Sequence, residues 1–265
     1  MKRKPLIFKL NVAKKKPENI RKKENKCPFC NREELTDIIA EKDDMIWLMN
    51  KFRTLEETTQ TIIIESKKHL GDQSNYSIDE NRKIIQFVLE CWKKMEDTNK
   101  YRSVLLYKNF GPKSGGSLRH PHFQIVGLNE VDGYEEISSE NFNGLVLLKN
   151  NEVEVNISKQ PIAGFIEFNV KISQNTEAAQ NQLADQIQNV VKYILSDSYY
   201  NGLYGSYNLF FYHDNGDIIC KICPRNLVSP YFVGYKLSQV NFDESLETIK
   251  QGFLEYLREK ENSNE

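Results

Sequence analysis

Short apolar runs of β type alternate along the chain with three long stretches of helical spacing. Isoleucine-rich runs predict strands from Met45 to Met49 and from Thr59 to Glu65. Ser77 and Glu80 then form a capping-box pattern, which predicts that a helix begins there. The apolar stripe of that helix consists of Ile84, Ile85, Val88, Leu89, Trp92 and Met95.

The same order of elements recurs in the second half of the chain. After the first helix, two strands are predicted, Ser103 to Tyr107 and Arg119 to Gly127, with a glycine and serine loop between them. At an offset of about 100 residues, a second helix is again followed by two strands. The later predicted elements are strands within Leu145 to Ile172, a helix from Glu177 to Ser196, strands at Ser206 to Tyr212 and Asp217 to Cys223, and a final helix from Phe242 to Lys260. The pattern predicts an α+β fold of two half-domains from an internal duplication, with a largely antiparallel sheet and packed helices.

The composition and charge of the chain limit which classes of partner and which cellular compartment we expect. The chain has 36 Lys and Arg against 37 Asp and Glu, so no global positive field favours nucleic acid or an anionic membrane. No apolar stretch approaches the roughly 18 residues of a membrane span, and Met1 to Lys26 lacks the apolar core of a secretory signal. We therefore expect a cytoplasmic protein that binds neither nucleic acid nor membrane.

Histidines are concentrated at one place in the chain. If Arg119 to Gly127 is a strand, then His120, His122 and Gln124 share one of its faces. A neutral imidazole can attack phosphorus when its other ring nitrogen is held by a fixed acceptor, and the loop upstream offers backbone N–H groups for phosphate oxygens. On the His-x-His pair alone, a surface strand that happens to carry two histidines is an equally good interpretation.

The extended pattern favours a chemical role. Gly-x-Ser-x-x-His-Pro-His-x-Gln, which begins at Gly115, resembles the active-site signature of galactose-1-phosphate uridylyltransferases. These enzymes belong with diadenosine tetraphosphate phosphorylases and histidine-triad hydrolases to one superfamily. The resemblance implies that His122 is the nucleophile that becomes nucleotidylated, that His120 binds zinc, that Gln124 stabilises the covalent intermediate, and that Ser117 lies near the phosphate.

The resemblance also implies further substrate contacts. Asn50, Lys51 and Phe52 match an Asn-x-aromatic segment that holds base and ribose in the family, although an ordinary turn at the end of a strand is the alternative. Asn109 opens a turn that resembles one beside the substrate phosphates. The remaining expected contacts on the phosphate side are Gly115, Gly116 and Arg119.

Cys27 and Cys30 have the spacing of a zinc knuckle, in which a tight turn presents two thiolates to one ion. In the uridylyltransferase-like family such a pair is completed by the first motif histidine and by one from an intervening segment. The resemblance therefore implies a Zn²⁺ site of Cys27, Cys30, His69 and His120. Two unrelated thiols are the alternative interpretation of the pair alone.

The other cysteines give a competing metal site. Cys220 and Cys223 have the same spacing, so that a four-cysteine site with Cys27 and Cys30 is a second hypothesis. In a regular strand, however, positions three apart point to opposite faces and cannot grip one ion without distortion. Cys91, within the apolar stripe of the first helix, is expected to be a buried thiol.

The second half has lost the histidine pattern and keeps basic residues. Lys221 lies within an apolar stretch and Arg225 follows it. A buried lysine requires either an acidic residue or a ligand phosphate as its partner, and we expect both residues to bind an anionic part of the substrate. Compared with uridylyltransferases, the chain is shorter and has only His213 after His122. That difference leaves open whether a hexose phosphate is the acceptor.

These inferences define an organisation and a function. We expect a basic N-terminal arm over residues 1–26, a catalytic, zinc-binding, histidine-triad-like half over 27–135, and a degenerate histidine-triad-like half over 136–265 with the C-terminal helix. The predicted activity is nucleotidyl transfer through His122 from a nucleoside diphosphate sugar or dinucleotide to a sugar phosphate or inorganic phosphate. The alternatives are a hydrolase with the same intermediate and a non-catalytic nucleotide-binding protein whose fold is stabilised by zinc. A homodimer is compatible with the sequence and is not required by it.

Overall fold

The computed structural model of the protein describes residues 4–262. The first three residues of the predicted basic arm and the last three residues of the chain lie outside that range. The chain divides into two compact units. Unit 1 contains Met1–Asp72 and Lys83–Glu136, and unit 2 contains Gln73–Arg82 and Ile137–Glu265.

Unit 1 is built on a five-stranded antiparallel sheet in the order β1-β2-β3-β5-β4. Its strands are β1 (Ile38–Lys42), β2 (Met45–Met49), β3 (Thr58–Ile64), β4 (Ser103–Phe110) and β5 (His122–Leu128). A short helix α1 (Leu10–Ala13) precedes the sheet, and the long helix α2 (Ile78–Glu96) connects β3 to β4.

Unit 2 repeats this topology. Its strands pair antiparallel in the order β6-β7-β8-β10-β9, and a helix again connects the third strand to the fourth. The elements are β6 (Gly144–Lys149), β7 (Glu154–Ser158), β8 (Phe168–Ile172), α3 (Glu177–Ile194), β9 (Tyr207–Asp214), β10 (Asp217–Pro224), α4 (Pro230–Tyr235) and α5 (Asp243–Asn262). The identical strand order confirms the predicted duplication, and the α+β class with a largely antiparallel sheet is likewise confirmed.

The helices follow the sequence pattern closely. Every residue of the stripe predicted for α2 is buried, and the hydroxyl of Ser77 accepts a hydrogen bond from the N–H of Glu80 at the start of the helix. In α3, Thr176 caps the N-terminus through the N–H of Ala179. Within residues 4–262, no helix combines the length and the apolarity that crossing a membrane requires.

Strand β5 differs from its prediction at its first residues. It begins at His122, not at Arg119, because Pro121 has no N–H to donate to a ladder. The carbonyl of Pro121 still accepts a hydrogen bond from the N–H of Glu65. His120 consequently lies in the bend before the strand, where its side chain is not restricted to one face of the sheet.

The N-terminal arm lies along unit 1. The N–H of Lys9 donates to the carbonyl of Thr54 over 2.7 Å, and the N–H of Asn19 donates to the carbonyl of Ser117 over 2.9 Å. The side-chain oxygen of Asn19 also accepts from the N–H of Arg119. The arm is therefore tied to the loop that precedes β5.

The structure corrects the role expected for Lys221 in β10. Its side chain is 1% exposed, and its Nζ lies 2.9 Å from Oε2 of Glu167. It also donates to the carbonyl of Asn141 and lies over the ring of Phe142. Of the two partners that sequence reasoning offered, a carboxylate or a ligand phosphate, the carboxylate is the one that faces Lys221.

This buried ion pair gives a stability prediction. Lys221→Met leaves Glu167 charged and buried, so the free energy of unfolding should fall by about 3 to 5 kcal/mol in chemical denaturation. The matched control is Lys149→Met, because the side chain of Lys149 is 66% exposed in its pair with Glu154, and its loss should be below about 1 kcal/mol. Equal losses in the two variants would contradict a structural ion pair at Lys221.

Candidate functional site

Two backbone carbonyls orient the two motif histidines. His120 donates from Nε2 to the carbonyl of Ser66 over 2.9 Å. His122 donates from Nδ1 to the carbonyl of His120 over 2.8 Å. The tautomers therefore differ: His120 has its Nδ1 lone pair available, and His122 has its Nε2 lone pair available.

Burial keeps both imidazoles neutral. It lowers the pKa of His122 to about 4, and the positive charges of Lys108 and Lys16 act in the same direction. Burial also lowers the pKa of His120 to about 4. Near pH 7 each ring therefore carries one proton and one lone pair, which is the state required of a nucleophile or a metal ligand.

A cavity of about 190 Å³ opens beside His122 within unit 1. Six of the predicted site residues line it: Asn50, Lys51, Phe52, Ser117, His122 and Gln124. Apolar side chains form much of the remaining wall, among them Phe29, Leu35, Met49 and Ile62. The cavity thus places an apolar compartment beside the imidazole of His122 and the amide of Gln124.

Gln124 is oriented by a neighbour on the adjacent strand. Tyr107 of β4 is the cross-strand partner of Gln124, and its hydroxyl donates to Oε1 of Gln124 over 3.1 Å. Burial raises the pKa of Tyr107 to about 12, so that it remains a donor. Because Oε1 accepts this bond, the NH₂ group of Gln124 is the part of the amide that can donate to a ligand.

The segment after β2 forms a turn at the wall of the cavity. Oδ1 of Asn50 accepts from the N–H of Phe52 over 2.8 Å, which closes a side-chain turn. The same turn places Lys51 and Phe52 in the cavity wall. The hydrogen bond of Asn50 therefore fixes the conformation of this part of the cavity wall.

The other predicted phosphate contacts lie outside the lining of this cavity. Arg119 is exposed, and its guanidinium lies 5.6 Å from the ring centroid of Phe110. Gly115 has a φ of 88°, which favours glycine at the turn. A side chain at Gly116 would come within 3.3 Å of Cβ of Asn109. Arg119, Gly115, Gly116 and Asn109 therefore belong to the loop region around Ser117 and not to the lining of the cavity.

The predicted metal ligands come together in unit 1. The ligand atoms of Cys27, Cys30, His69 and His120 all lie within 4.8 Å of one another. Cys30 Sγ is 3.3 Å from His69 Nδ1 and 3.5 Å from His120 Nδ1. Zinc bonded to sulfur and nitrogen gives tetrahedral edges of roughly 3.5 Å between such atoms, so the donor set fits a tetrahedral ion.

Protonation of the knuckle makes its affinity for a metal ion depend on pH. Burial raises the pKa of Cys27 to about 11, so a metal ion must displace its proton to bind, and metal affinity should rise with pH. Phe29 of the knuckle packs into an apolar cluster with Ile62 and Leu118. In unit 2, Cys220 and Cys223 are buried in β10, and the metal-binding group found among the described residues does not include them.

Sequence reasoning missed a buried ion cluster beside the site. Lys108 of β4 is fully buried, and its Nζ lies 2.6 Å from Glu65 Oε1 and 3.4 Å from Asp72 Oδ1. It also lies 5.2 Å from the ring centroid of Phe123. The strand was predicted to end at Tyr107, one residue before Lys108, and the partners of Lys108 are distant in the sequence.

A second missed residue comes from the N-terminal arm. Lys16 lines the cavity together with His122, and burial lowers the pKa of its ammonium group. None of the carboxylates in residues 4–262 forms an ion pair with Lys16. The run of lysines in the arm gave no reason to select this one.

Comparison with known proteins identifies relatives for both halves. Residues 8–131 match the model of the N-terminal domain of DUF4931, and residues 134–256 match its C-terminal domain, both described as domains of unknown function. A crystal structure of a DUF4931 family protein from Bacillus cereus ATCC 10987 is 42% identical, with a TM-score of 0.75. The match covers 83% of this chain and 99% of that one. No curated protein matches the chain.

More distant structures share the fold. A uridylyltransferase is 16% identical with a TM-score of 0.66, over 88% of this chain and 92% of that one. An ADP-glucose phosphorylase from Arabidopsis thaliana, solved with bound ADP-glucose, is 14% identical with a TM-score of 0.66, over 87% and 93%. The resemblance to uridylyltransferases that the motif predicted is thus confirmed at the level of the fold.

The ligand cluster gives a prediction about metal content. The purified protein should carry about one zinc per chain, and Cys27→Ser with Cys30→Ser should remove it and lower the melting temperature strongly, because a structural zinc contributes on the order of 10 kcal/mol to folding. His69→Ala should lower zinc content, measured by elemental mass spectrometry. Cys220→Ser, a buried cysteine outside the cluster, is the control and should retain full zinc. If Cys220→Ser loses zinc while the double variant keeps it, then these four residues do not form the metal site.

Proposed function

The chain belongs to the DUF4931 family, and we propose that it is a nucleotidyltransferase in which His122 takes up a nucleoside monophosphate group. One observation carries the proposal: a buried imidazole, 8% exposed, donates from Nδ1 to the carbonyl of His120 and lines a cavity with polar and apolar walls. That arrangement provides a neutral nucleophile without a separate base.

The reaction would proceed by two displacements. Nε2 of His122 attacks the α-phosphorus of a nucleoside diphosphate sugar or a dinucleotide, and the bond from that phosphorus to the bridging oxygen breaks. The leaving phosphate departs with the bond electrons. An oxygen of an acceptor phosphate then attacks the same phosphorus, the N–P bond breaks, and His122 regains its lone pair.

Charge and hydrogen bonding support this course. The NH₂ group of Gln124, freed by the bond from Tyr107, is available to the oxygens of the transferring phosphoryl group. Lys16 brings a positive charge into the same cavity. Ser117, beside the loop with Gly115 and Gly116, is proposed to lie near the phosphate, with Arg119 and Asn109 holding that loop.

The apolar part of the cavity suits a nucleoside. Phe52 and Lys51 form its rim on the turn closed by Asn50, and Leu35 and Met49 add apolar surface. Binding pockets for small molecules combine such walls with few polar groups. We assign this compartment to base and ribose.

Zinc is proposed to bind Cys27, Cys30, His69 and His120. When bound there, the ion would act as a structural tie that fixes the knuckle and the ring of His120. The carbonyl of His120 accepts the hydrogen bond that orients the ring of His122. The orientation of the proposed nucleophile therefore depends on the same residue that is proposed to bind the metal.

The fold relatives indicate the class of substrate. One is named a uridylyltransferase and another an ADP-glucose phosphorylase, so we propose a nucleoside diphosphate sugar or a dinucleotide as donor and a sugar phosphate or inorganic phosphate as acceptor. Product analysis with sugar phosphate, phosphate or water separates transferase, phosphorylase and hydrolase. Failure of every donor to label the protein would favour a non-catalytic nucleotide-binding protein.

The nucleophile is tested by covalent labelling. Incubation with a set of nucleoside diphosphate sugars and dinucleotides should add one nucleoside monophosphate to the intact mass of the protein, and His122→Ala should abolish this adduct while retaining fold and zinc. Gln124→Ala should slow transfer by roughly 10² to 10³, the effect of deleting one transition-state donor. His213→Ala is the control and should label normally. An undiminished adduct in His122→Ala would refute the assignment.

The proposed role of Lys16 is tested by steady-state kinetics. Lys16→Met removes a charged donor to the substrate phosphate, so KM for the donor substrate should rise about tenfold or more. Lys14→Met, two residues away and exposed, should leave KM unchanged. If both variants show the same KM, then Lys16 does not contact the phosphate.

A further inference from the structure

Lys108 lies on the face of the unit 1 sheet that points away from the cavity. In the register of β4 and β5 it is the partner of Phe123, and its Nζ lies 5.2 Å from the centroid of that ring. Successive residues of a strand point to opposite faces, so His122 and Gln124, which line the cavity, are on the other side. The side chain of Lys108 is fully buried. A ligand beside His122 is therefore out of its direct reach.

One ammonium group joins the two ends of the segment 65–72. Nζ of Lys108 lies 2.6 Å from Oε1 and 2.8 Å from Oε2 of Glu65, and 3.4 Å from Oδ1 of Asp72. Residues 65–72, all of which the structure describes, contain no helix or strand, so no regular ladder of backbone hydrogen bonds holds them. The ion cluster therefore closes this segment into a loop that is fixed to β4.

The same segment contributes two groups that act on the histidines of the site. The carbonyl of Ser66 accepts a hydrogen bond from Nε2 of His120 over 2.9 Å, and His69 is one of the candidate metal ligands. Glu65 adds a direct link, because its N–H donates to the carbonyl of Pro121 over 3.3 Å. Glu65 thus contacts β4 through its carboxylate and the His-Pro-His motif through its backbone.

We propose that Lys108 is a positioning residue: its ion cluster fixes the carbonyl of Ser66 and the ring of His69, and thereby raises the affinity of the site for zinc. The effect extends to His122, because Ser66 orients the ring of His120, and the carbonyl of His120 orients His122. The inference about zinc rests on the ligand cluster alone. Only its consequence for His122 rests on the proposed function.

Zinc affinity is the first test, measured on the full-length protein by competition with a chromogenic chelator. Lys108→Met should weaken zinc binding by roughly tenfold or more, the effect of removing a group that orients metal ligands. Glu65→Gln, which keeps the size of the side chain, should weaken it by more than Asp72→Asn does, because Glu65 makes the closer contact, 2.6 Å against 3.4 Å. If Lys108→Met does not fold, then these two milder variants carry the test.

Two other lysines provide matched controls. Lys221 of unit 2 is likewise buried and pairs with Glu167 over 2.9 Å, so Lys221→Met should destabilise the fold and leave zinc affinity unchanged. Lys67 lies in the same segment as Ser66, but the side chains of Lys67 and its partner Asp44 are 67% and 50% exposed. Lys67→Met should therefore change neither stability nor zinc affinity measurably.

Two outcomes would overturn the proposal. If Lys221→Met loses zinc as readily as Lys108→Met, then the loss of global stability explains the effect, and Lys108 has no positioning role. If Lys108→Met and Glu65→Gln both bind zinc as tightly as the parent, then the segment is held in place without the cluster.

The ring proton of His120 gives a second readout that does not depend on enzyme activity. The proton on Nε2 is bonded to the carbonyl of Ser66, and NMR should show it exchanging with water about tenfold faster or more in Lys108→Met, because the segment opens more often. Lys221→Met should keep the exchange rate of the parent. An unchanged rate in Lys108→Met contradicts the proposal.

The consequence for His122 is tested by the rate of covalent labelling. With a donor that labels the parent, Lys108→Met should lower the rate of labelling and leave KM unchanged, because Lys108 does not reach the cavity. Lys16→Met should instead raise KM. If no donor labels the parent, then the proposed function fails, while zinc affinity and proton exchange still decide the role of Lys108.

Discussion

Two hydrogen bonds from imidazole rings to backbone carbonyls determine what the site of unit 1 can do. The bond from His120 to Ser66 presents Nδ1 to the cysteines, and the bond from His122 to His120 leaves Nε2 for the cavity. Two histidines that are separated only by Pro121 therefore adopt different tautomers. The arrangement requires the chain to leave the ladder just before β5, and Pro121 ensures that it does.

A buried charge cluster reinforces this geometry. Lys108 joins β4 to Glu65 and Asp72, which bracket the segment that carries Ser66 and His69. Without Lys108 two buried carboxylates would have no counter-charge, so this cluster ties the segment to β4. The cluster therefore positions both the candidate metal ligand His69 and the carbonyl of Ser66 that accepts from His120.

Local patterns in the sequence predicted what local interactions determine. The spacing of apolar residues predicted the three long helices, α2, α3 and α5, and nearly all strands. The histidine motif with the cysteine pair predicted the cluster that the structure brings together. The edge strand β1 was missed because most of its residues are exposed, so no alternation marks it. Lys108, Lys16 and Lys221 could not be interpreted from sequence, because each depends on a partner or cavity wall contributed by a distant segment.

The N-terminal arm gives the cavity one wall that is not part of the sheet. Lys16 and Pro17 line the cavity, and the arm is joined to unit 1 by hydrogen bonds to loop residues, such as that of Lys9 to Thr54 and that of Asn19 to Ser117. Hydrogen bonds of this kind can break in local opening, at a free energy well below that of global unfolding. Detachment of the arm therefore opens this wall of the cavity while the strand ladder stays intact.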